Sequence, residues 1–236
     1  MTSPSIRVAQ HAGVCFGVKR ALEEASKVLA EQQGSIHTLG ELIHNPRVVR
    51  DLEQQGAHVA YSVDEVKDGT LIIRAHGVAP QVKQVAESAG LHVVDATCPF
   101  VKRVQDHART LYNDGYQVII VGEAGHPEVE GILGCTDGKA YIVGSAQEVE
   151  SLDISSRVGV VVQTTQTSKN LREVVDSLLV RAREVRVFDT ICSATNERQE
   201  AARALAATCD IMIVIGGRNS GNTRRLEQIC RDACPC

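Results

Sequence analysis

The chain of 236 residues carries a formal net charge of −4 and is 43% hydrophobic, with only 3% aromatic residues and no Trp. A core built mainly from Val, Ile, Leu and Ala is typical of α/β proteins. The negative charge and scarce aromatic side chains exclude a broad nucleic-acid-binding surface, so we expect no nucleic-acid partner. The apolar runs are far shorter than the roughly 20 residues of a membrane span, and the N-terminus has no signal-peptide pattern. We therefore expect a cytoplasmic protein with no membrane partner.

Strand-like apolar runs alternate with amphipathic, helix-like segments along the whole chain. "SIRVAQ" is followed by "VKRALEEASKVLAEQ", then by "SIHTLG", "PRVVRDLEQQG" and "HVA". This alternation predicts repeated βα units on mainly parallel sheets. No linker rich in Gly, Ser or Pro interrupts the pattern, so we expect tightly packed modules.

Three cysteines mark an internal repeat. Cys15 in "HAGVCFGVKRA", Cys98 in "DATCPFVKRV" and Cys192 in "DTICSATNERQEAARAL" each follow a strand-like run and precede a helix-like one. Their similar spacing predicts three related α/β modules at residues 14–96, 97–190 and 191–236, the last joined by an N-terminal strand within residues 1–13. After the helix-like run that Cys192 precedes, the sequence has only one further strand, "DIMIVIGG", and one further helix, "TRRLEQICRDA". We therefore expect the third module to be incomplete.

Polar side chains follow the other apolar runs, just before the next helix signal. In open α/β sheets, ligands bind beyond the carboxyl ends of the strands, where helix N-termini favour anions. These residues therefore predict a phosphate-binding set, although each one taken alone is also typical of a helix N-cap or a satisfied core position. The set comprises His44, His76, His126, Thr164, Thr165, Ser220 and Asn222, and Glu128 lies at the same kind of position.

A thiolate is favoured at a helix N-terminus and beside Lys or Arg, so the three repeat cysteines are candidate metal ligands. Three thiolates suit either a zinc ion or an iron-sulfur cluster with one iron left without a protein ligand. Cys135 and Cys209 lack this context, and we interpret them as small buried hydrophobes. The remaining thiols near the C-terminus are candidates only for adventitious metal binding or oxidation: Cys230, Cys234 and Cys236.

Eight motifs, in order, resemble the 4-hydroxy-3-methylbut-2-enyl diphosphate reductase (LytB) family: "GVCFGVKRA", "HNPRVV", "AHGV", "DATCP", "GHPEVEG", "QTTQT", "ICSATNERQEA" and "RNSGNTRRL". The resemblance implies a trefoil of three α/β modules around a central 4Fe-4S cluster held by Cys15, Cys98 and Cys192. It also implies that Glu128 acts as the acid. The residues implied to hold the substrate diphosphate are His44, His76, His126, Thr164, Ser220 and Asn222.

The reaction implied by the resemblance is reductive dehydroxylation of (E)-4-hydroxy-3-methylbut-2-enyl diphosphate. Its products are isopentenyl and dimethylallyl diphosphate, at the last step of the methylerythritol phosphate pathway, and the electron donor is ferredoxin or flavodoxin. Gly221 in "NSGN" stands where the family commonly has serine, which leaves only a backbone contact there. The family also has a further serine-bearing loop in the third module, and this chain stops before reaching it.

An alternative hypothesis is an inactive, shortened homologue that binds a cluster or metal without turnover. A thiol-redox protein is weaker still, because the chain has no Cys-x-x-Cys.

Overall fold

The computed structural model describes residues 5–31 and 34–236 and confirms an α/β fold with parallel sheets. The first sheet and its helices are α1 (Phe16–Glu31), β1 (Ile36–Leu39), α2 (Pro46–Gln54), β2 (Ala57–Ala60), β3 (Thr70–Ile73), α3 (Pro80–Ser88) and β4 (His92–Asp95). The second group is α4 (Pro99–Asn113), β5 (Gln117–Val121), α5 (Pro127–Leu133), β6 (Tyr141–Val143), α6 (Ala146–Glu150), β7 (Arg157–Val162), α7 (Ser168–Leu179) and β8 (Glu184–Val187). The last part contributes α8 (Ser193–Ala206) and α9 (Gly221–Arg231), and two short 3₁₀ helices lie at Val63–Glu65 and Gly134–Thr136.

The two sheets have the same topology, which explains the repeat in the sequence. Their strand orders are β2-β1-β3-β4 and β6-β5-β7-β8, with every neighbouring pair parallel. In each sheet the chain leaves the first strand toward one edge and returns to build the other edge. The loops after β1 and β3, and those after β5 and β7, therefore open at the topological switch point where ligands bind in such sheets.

Both faces of the second sheet are buried. Successive strand residues point to opposite sides, and helices cover each side. Ile119 and Val160 pack into one hydrophobic cluster with α7, whereas Ile120 and Val161 pack into another with α4. The first sheet repeats this arrangement, with its strand residues divided between two clusters. Such continuous apolar strands are stable only when helices cover both faces.

Proline fixes the start of four helices. Pro46, Pro80, Pro99 and Pro127 occupy the first turn of α2, α3, α4 and α5. Proline has no N–H to lose there, and its fixed φ suits the first helical turn. These starts lie at the carboxyl ends of the strands, so the residues just before the prolines are held at the ligand-binding edge.

Two predicted strands are wrong as hydrogen-bonded elements. No strand forms at residues 210–217. None forms at residues 5–13 either, and residues 1–4 of that N-terminal prediction lie outside the described ranges. Side chains of segment 210–217 still alternate: Met212 is buried against α8 and α9, whereas Ile211, Ile213 and Ile215 are 67%, 80% and 91% exposed. The apolar alternation that predicts a strand is therefore present, but no neighbouring strand in the described residues supplies hydrogen bonds.

Each sheet falls within one of the first two predicted modules, and the boundaries at 96/97 and 190/191 stay a prediction. No described helix is long and apolar enough to cross a membrane.

Candidate functional site

The three repeat cysteines all lie at helix starts. Cys98 and Cys192 are the N-cap residues of α4 and α8, and Cys15 directly precedes α1. The approach to two of them is the same: Asp95 accepts a hydrogen bond from the backbone N–H two residues on (3.0 Å), and Asp189 does likewise (3.1 Å). These aspartates turn the chain from strand to helix.

Backbone hydrogen bonds join the cysteines to the loops at the switch points. The Cys98 N–H donates to the carbonyl of Ala75, next to His76, and the Cys192 N–H donates to the carbonyl of Thr164; both distances are 3.0 Å. Cys98 and Cys192 are therefore each held beside a loop that carries candidate binding residues. Two of the three thiols therefore lie beside part of the predicted polar set.

Gly17 leaves the space between two of the thiols. A Cβ atom at this position would lie 2.5 Å from the Cys98 Sγ and 3.9 Å from the Cys15 Sγ. No side chain fits at 2.5 Å from a sulfur atom, so glycine is required for the close approach of α1 to Cys98.

The pKa values of Cys98 and Cys192 are raised, whereas the sequence predicts thiolates. Burial raises the pKa of Cys98 and of Cys192, and the neighbouring cysteine thiols add to the rise. Backbone N–H groups at the helix starts pull the other way, but burial is the larger effect. Two buried thiols with raised pKa values, Cys98 and Cys192, fit a cationic centre, since a bound metal reverses this balance and deprotonates its ligands.

The thiols are not arranged for a single ion. Among residues 5–31 and 34–236, no three or more His, Cys, Asp or Glu side chains converge closely enough to hold one metal ion. Zinc needs its sulfur ligands at about 2.3 Å from one point. A cluster distributes its cysteine ligands over several irons, so it does not require the three thiols to converge on one point.

The three predicted histidines form a compact group. The ring centroids of His44 and His76 are 4.2 Å apart, and the His126 ring meets both edge-on at 5.4 Å and 5.6 Å. Among the described residues, His44 Nε2, His76 Nδ1 and Asn222 Oδ1 are buried and have no hydrogen-bond partner. Buried polar atoms nearly always have partners. Three such atoms from different parts of the chain indicate a ligand site.

Two of the three histidines have lowered pKa values. Burial is the main cause that holds the pKa of His76 well below 6.5 and lowers that of His126 to about 4, and His44 lowers both further. Both rings are therefore neutral near pH 7. The Nδ1 atom of His126 accepts the backbone N–H of Glu128 at 3.1 Å, so its proton is on Nε2, which is free to donate.

Glu128 is a buried acid, 3% exposed, in the first turn of α5. Burial raises the pKa of its carboxyl to about 7, against the effect of two hydrogen bonds from Thr164. The Thr164 backbone N–H donates to Oε1 at 2.6 Å, and its hydroxyl donates to Oε2 at 2.8 Å. A carboxyl group with such a pKa holds a proton near neutral pH and can release it. Thr164 thus lies against Glu128, and its predicted role in diphosphate binding stays a prediction.

The third part of the chain adds the loop before α9. Ser220 is the N-cap of α9, where its Oγ accepts the Thr223 N–H at 3.3 Å, as the alternative N-cap interpretation predicts. The hydroxyl proton remains available to a ligand. Arg225 anchors this helix to the second sheet, donating to the Thr165 carbonyl at 2.7 Å and to the Glu123 carboxylate at 2.9 Å.

Sequence reasoning missed two glutamates that connect to this loop. Glu41 follows β1 and Glu123 follows β5, each directly after a glycine and three residues before a site histidine. Glu41 accepts from the Asn219 side chain at 2.8 Å, and Glu123 binds Arg224 and Arg225. The repeated Gly-Glu in "GELIH" and "GEAGH" was the signal that could have identified them.

Comparisons with known proteins match the chain to one protein family. The family model described as LytB protein matches residues 6–236. The 4-hydroxy-3-methylbut-2-enyl diphosphate reductase of Geotalea uraniireducens (strain Rf4) is 49% identical over 97% of this chain and 80% of its own length. That of Citrifermentans bemidjiense is 50% identical over 97% of this chain and 81% of its own length. The chain spans about four fifths of these relatives.

Two solved structures are also similar. A structure of (E)-4-hydroxy-3-methyl-but-2-enyl diphosphate reductase, described as the terminal enzyme of the non-mevalonate pathway, is 45% identical with a TM-score of 0.76. It matches 97% of this chain and 83% of its own. The Plasmodium falciparum E-1-hydroxy-2-methyl-but-2-enyl-4-diphosphate reductase is 29% identical with a TM-score of 0.90, over 94% of this chain and 72% of its own.

Proposed function

The chain belongs to the LytB family, and from this we propose that it reduces (E)-4-hydroxy-3-methylbut-2-enyl diphosphate to isopentenyl and dimethylallyl diphosphate. The observation that carries the proposal is the junction of three helix-start cysteines with a group of histidines and one buried acid. The net change replaces the C–OH bond by a C–H bond, with two electrons and two protons consumed and one water released.

We propose a 4Fe-4S cluster as the cofactor, held by Cys15, Cys98 and Cys192. The space beside Gly17 supports this assignment, and so does the raised pKa of Cys98, which is caused by burial and by the neighbouring thiols. When bound, the cluster supplies the electrons and a Lewis-acidic iron.

The diphosphate is held by the unpartnered atoms of the histidine group. His126 Nε2 donates as a neutral imidazole, while His44 Nε2 and His76 Nδ1 are the free ring atoms that face no other partner. Rotation of the Asn222 amide exchanges its oxygen and nitrogen, so that the buried position offers an N–H to an anion. The Ser220 hydroxyl and the free N–H groups at the start of α9 complete the set.

Glu128 supplies a proton to the substrate hydroxyl oxygen, which leaves as water. Its pKa of about 7 keeps a proton on the carboxyl at neutral pH, and Thr164 fixes the orientation of both carboxyl oxygens. A poor leaving group such as hydroxide departs far more readily once protonated.

We further propose that the electrons come from a small carrier such as ferredoxin or flavodoxin and that the protein works in the cytoplasm. The partial exposure of the three cysteines supports electron entry from outside the molecule.

Anaerobic reconstitution with iron and sulfide tests the cofactor assignment, with visible absorbance and bound iron as readouts. We expect each of the single variants Cys15→Ser, Cys98→Ser and Cys192→Ser to lose most of the cluster. Cys209→Ser, which removes a half-buried thiol outside the site, is the matched control and should bind iron as the wild type does. Equal iron binding by all four variants would refute the assignment. A cluster that assembles without any product from the substrate would favour the alternative of an inactive homologue.

A further inference from the structure

We propose that Glu41 is a positioning residue that makes His44 the charge-bearing histidine of the diphosphate site. This inference rests on the proposed function and deepens it. Glu41 does not bind the substrate itself but acts through the His44 ring, which binds the diphosphate.

Glu41 reaches His44 on the side away from the free ring nitrogen. Its Oε2 atom lies 3.2 Å from His44 Nδ1, and the same oxygen accepts from Asn219 Nδ2 at 2.8 Å. The Asn219 amide nitrogen is also 3.2 Å from His44 Nδ1. With the His44 proton on Nδ1, the ring donates to the carboxylate, which can only accept, and the Asn219 amide donates to the same carboxylate oxygen.

The opposite edge of the ring faces the proposed ligand. His44 Nε2 is buried and has no partner, and a diphosphate oxygen, like a carboxylate, is an acceptor. A ring with an anionic acceptor on each side needs a proton on both nitrogens. Binding of the anion therefore makes His44 an imidazolium, held by two charge-assisted hydrogen bonds.

The other two histidines do not have this support. The Nδ1 atom of His126 accepts a backbone N–H, so this ring binds as a neutral donor. Glu123, which occupies the place of Glu41 after the second sheet's first strand, is paired with Arg224 and Arg225 instead of a histidine. One carboxylate thus places a single positive charge in a group where two neighbouring cations would repel each other.

The chain geometry fixes this arrangement. Gly40, with a φ of +71°, turns the chain at the end of β1 and directs Glu41 toward the loop before α9. Gly217 lies so close that a Cβ atom there would be 2.4 Å from the His44 carbonyl oxygen. Glu41 and Asn219 are 178 residues apart in the chain, and their contact ties the histidine loop to the α9 loop.

The test compares wild type, Glu41→Gln and Glu53→Gln, the last of which removes an exposed carboxylate from α2 in the same part of the chain. Inorganic pyrophosphate is the probe, and calorimetry in two buffers of different ionisation enthalpy gives both affinity and protons taken up. NMR of ¹⁵N-histidine-labelled protein, with His44→Gln to assign the signal, reports the protonation of each ring nitrogen. Far-UV circular dichroism checks that each variant is folded.

For the wild type and Glu53→Gln, we expect pyrophosphate to convert His44 to the doubly protonated form with matching proton uptake. Glu41→Gln should bind about ten-fold more weakly, because one charge-assisted bond is lost, and should show less proton uptake and a neutral His44. In turnover its KM should rise more than its kcat falls. Unchanged His44 signals and affinity in folded Glu41→Gln, with normal wild-type binding, would overturn the positioning role alone. Failure of the wild type to bind pyrophosphate would overturn both this role and the proposed function.

Discussion

Replacing Glu128 by Gln removes a carboxyl group whose ionisation is opposed by burial, and we expect the variant to be inactive yet more stable at alkaline pH. The pKa of Glu128 is raised from 4.5 to about 7 in the folded protein. At about 1.4 kcal/mol per pH unit, this difference corresponds to about 3 kcal/mol. The folded state holds the proton that the unfolded chain releases between these two values. Wild-type stability therefore falls as the pH rises from about 4.5 to about 7, and then levels off.

Gln fits the same place without that loss. Its amide oxygen can accept the Thr164 N–H, and its amide nitrogen can donate to the Thr164 hydroxyl, which rotates to accept. We expect the difference in unfolding free energy between variant and wild type to grow by about 3 kcal/mol in favour of the variant from pH 4.5 to pH 8. Turnover should fall by about 10² to 10⁴, the usual contribution of a positioned acid.

Urea unfolding followed by far-UV circular dichroism at a series of pH values measures this difference. Glu53→Gln, at an exposed position on α2, should track the wild type at every pH. A stability difference for Glu128→Gln that is independent of pH would refute the account of Glu128 as a buried, protonated acid.

Three further changes have defined outcomes. Gly17→Ala should reduce bound iron several-fold after reconstitution, because the added methyl would lie 2.5 Å from the Cys98 sulfur; iron content equal to wild type would contradict the close approach. Thr164→Val removes one hydrogen bond to the Glu128 carboxylate, worth about 1.5 kcal/mol or more, and should raise the pKa of that carboxyl by about one pH unit in a ¹³C NMR titration. A lower pKa would show that the hydroxyl does not stabilise the anion. Arg225→Lys loses one of two donors from a side chain that is 16% exposed. Hydrogen exchange in α9 should accelerate by about ten-fold, and unchanged exchange would mean that the contact does not hold the helix.

The fold class could be predicted because the apolar runs are short, rich in Val and Ile, and separated by helix signals. The strand "QVIIV" is buried on both faces, and the prolines before "RVV" and "FVK" begin helices as their position predicts. The strand predicted at "DIMIVIGG" failed for a reason that periodicity cannot reveal. A strand needs a neighbour to bond with, and side-chain alternation alone does not say whether one is present.

The site residues could be predicted from recurrence at strand ends, but their protonation could not. The helix-start position predicts thiolates, whereas the structure has burial raising the pKa of Cys98. The equal spacing of His44 and His126 after their strands conceals a difference, since one contacts a carboxylate and the other a backbone N–H. Such differences depend on contacts from distant parts of the chain. The repeated Gly-Glu pattern marks Glu41, but no local pattern indicates its partner Asn219.

The central claim is that the cysteine, histidine and glutamate groups form one working reductase site. Anaerobic incubation of the reconstituted chain with (E)-4-hydroxy-3-methylbut-2-enyl diphosphate and a chemical reductant tests it most directly. We predict formation of isopentenyl and dimethylallyl diphosphate by the wild type, and loss of both products in Glu128→Gln with its cluster intact. A fully loaded wild-type chain that binds the substrate but forms neither product would contradict the claim.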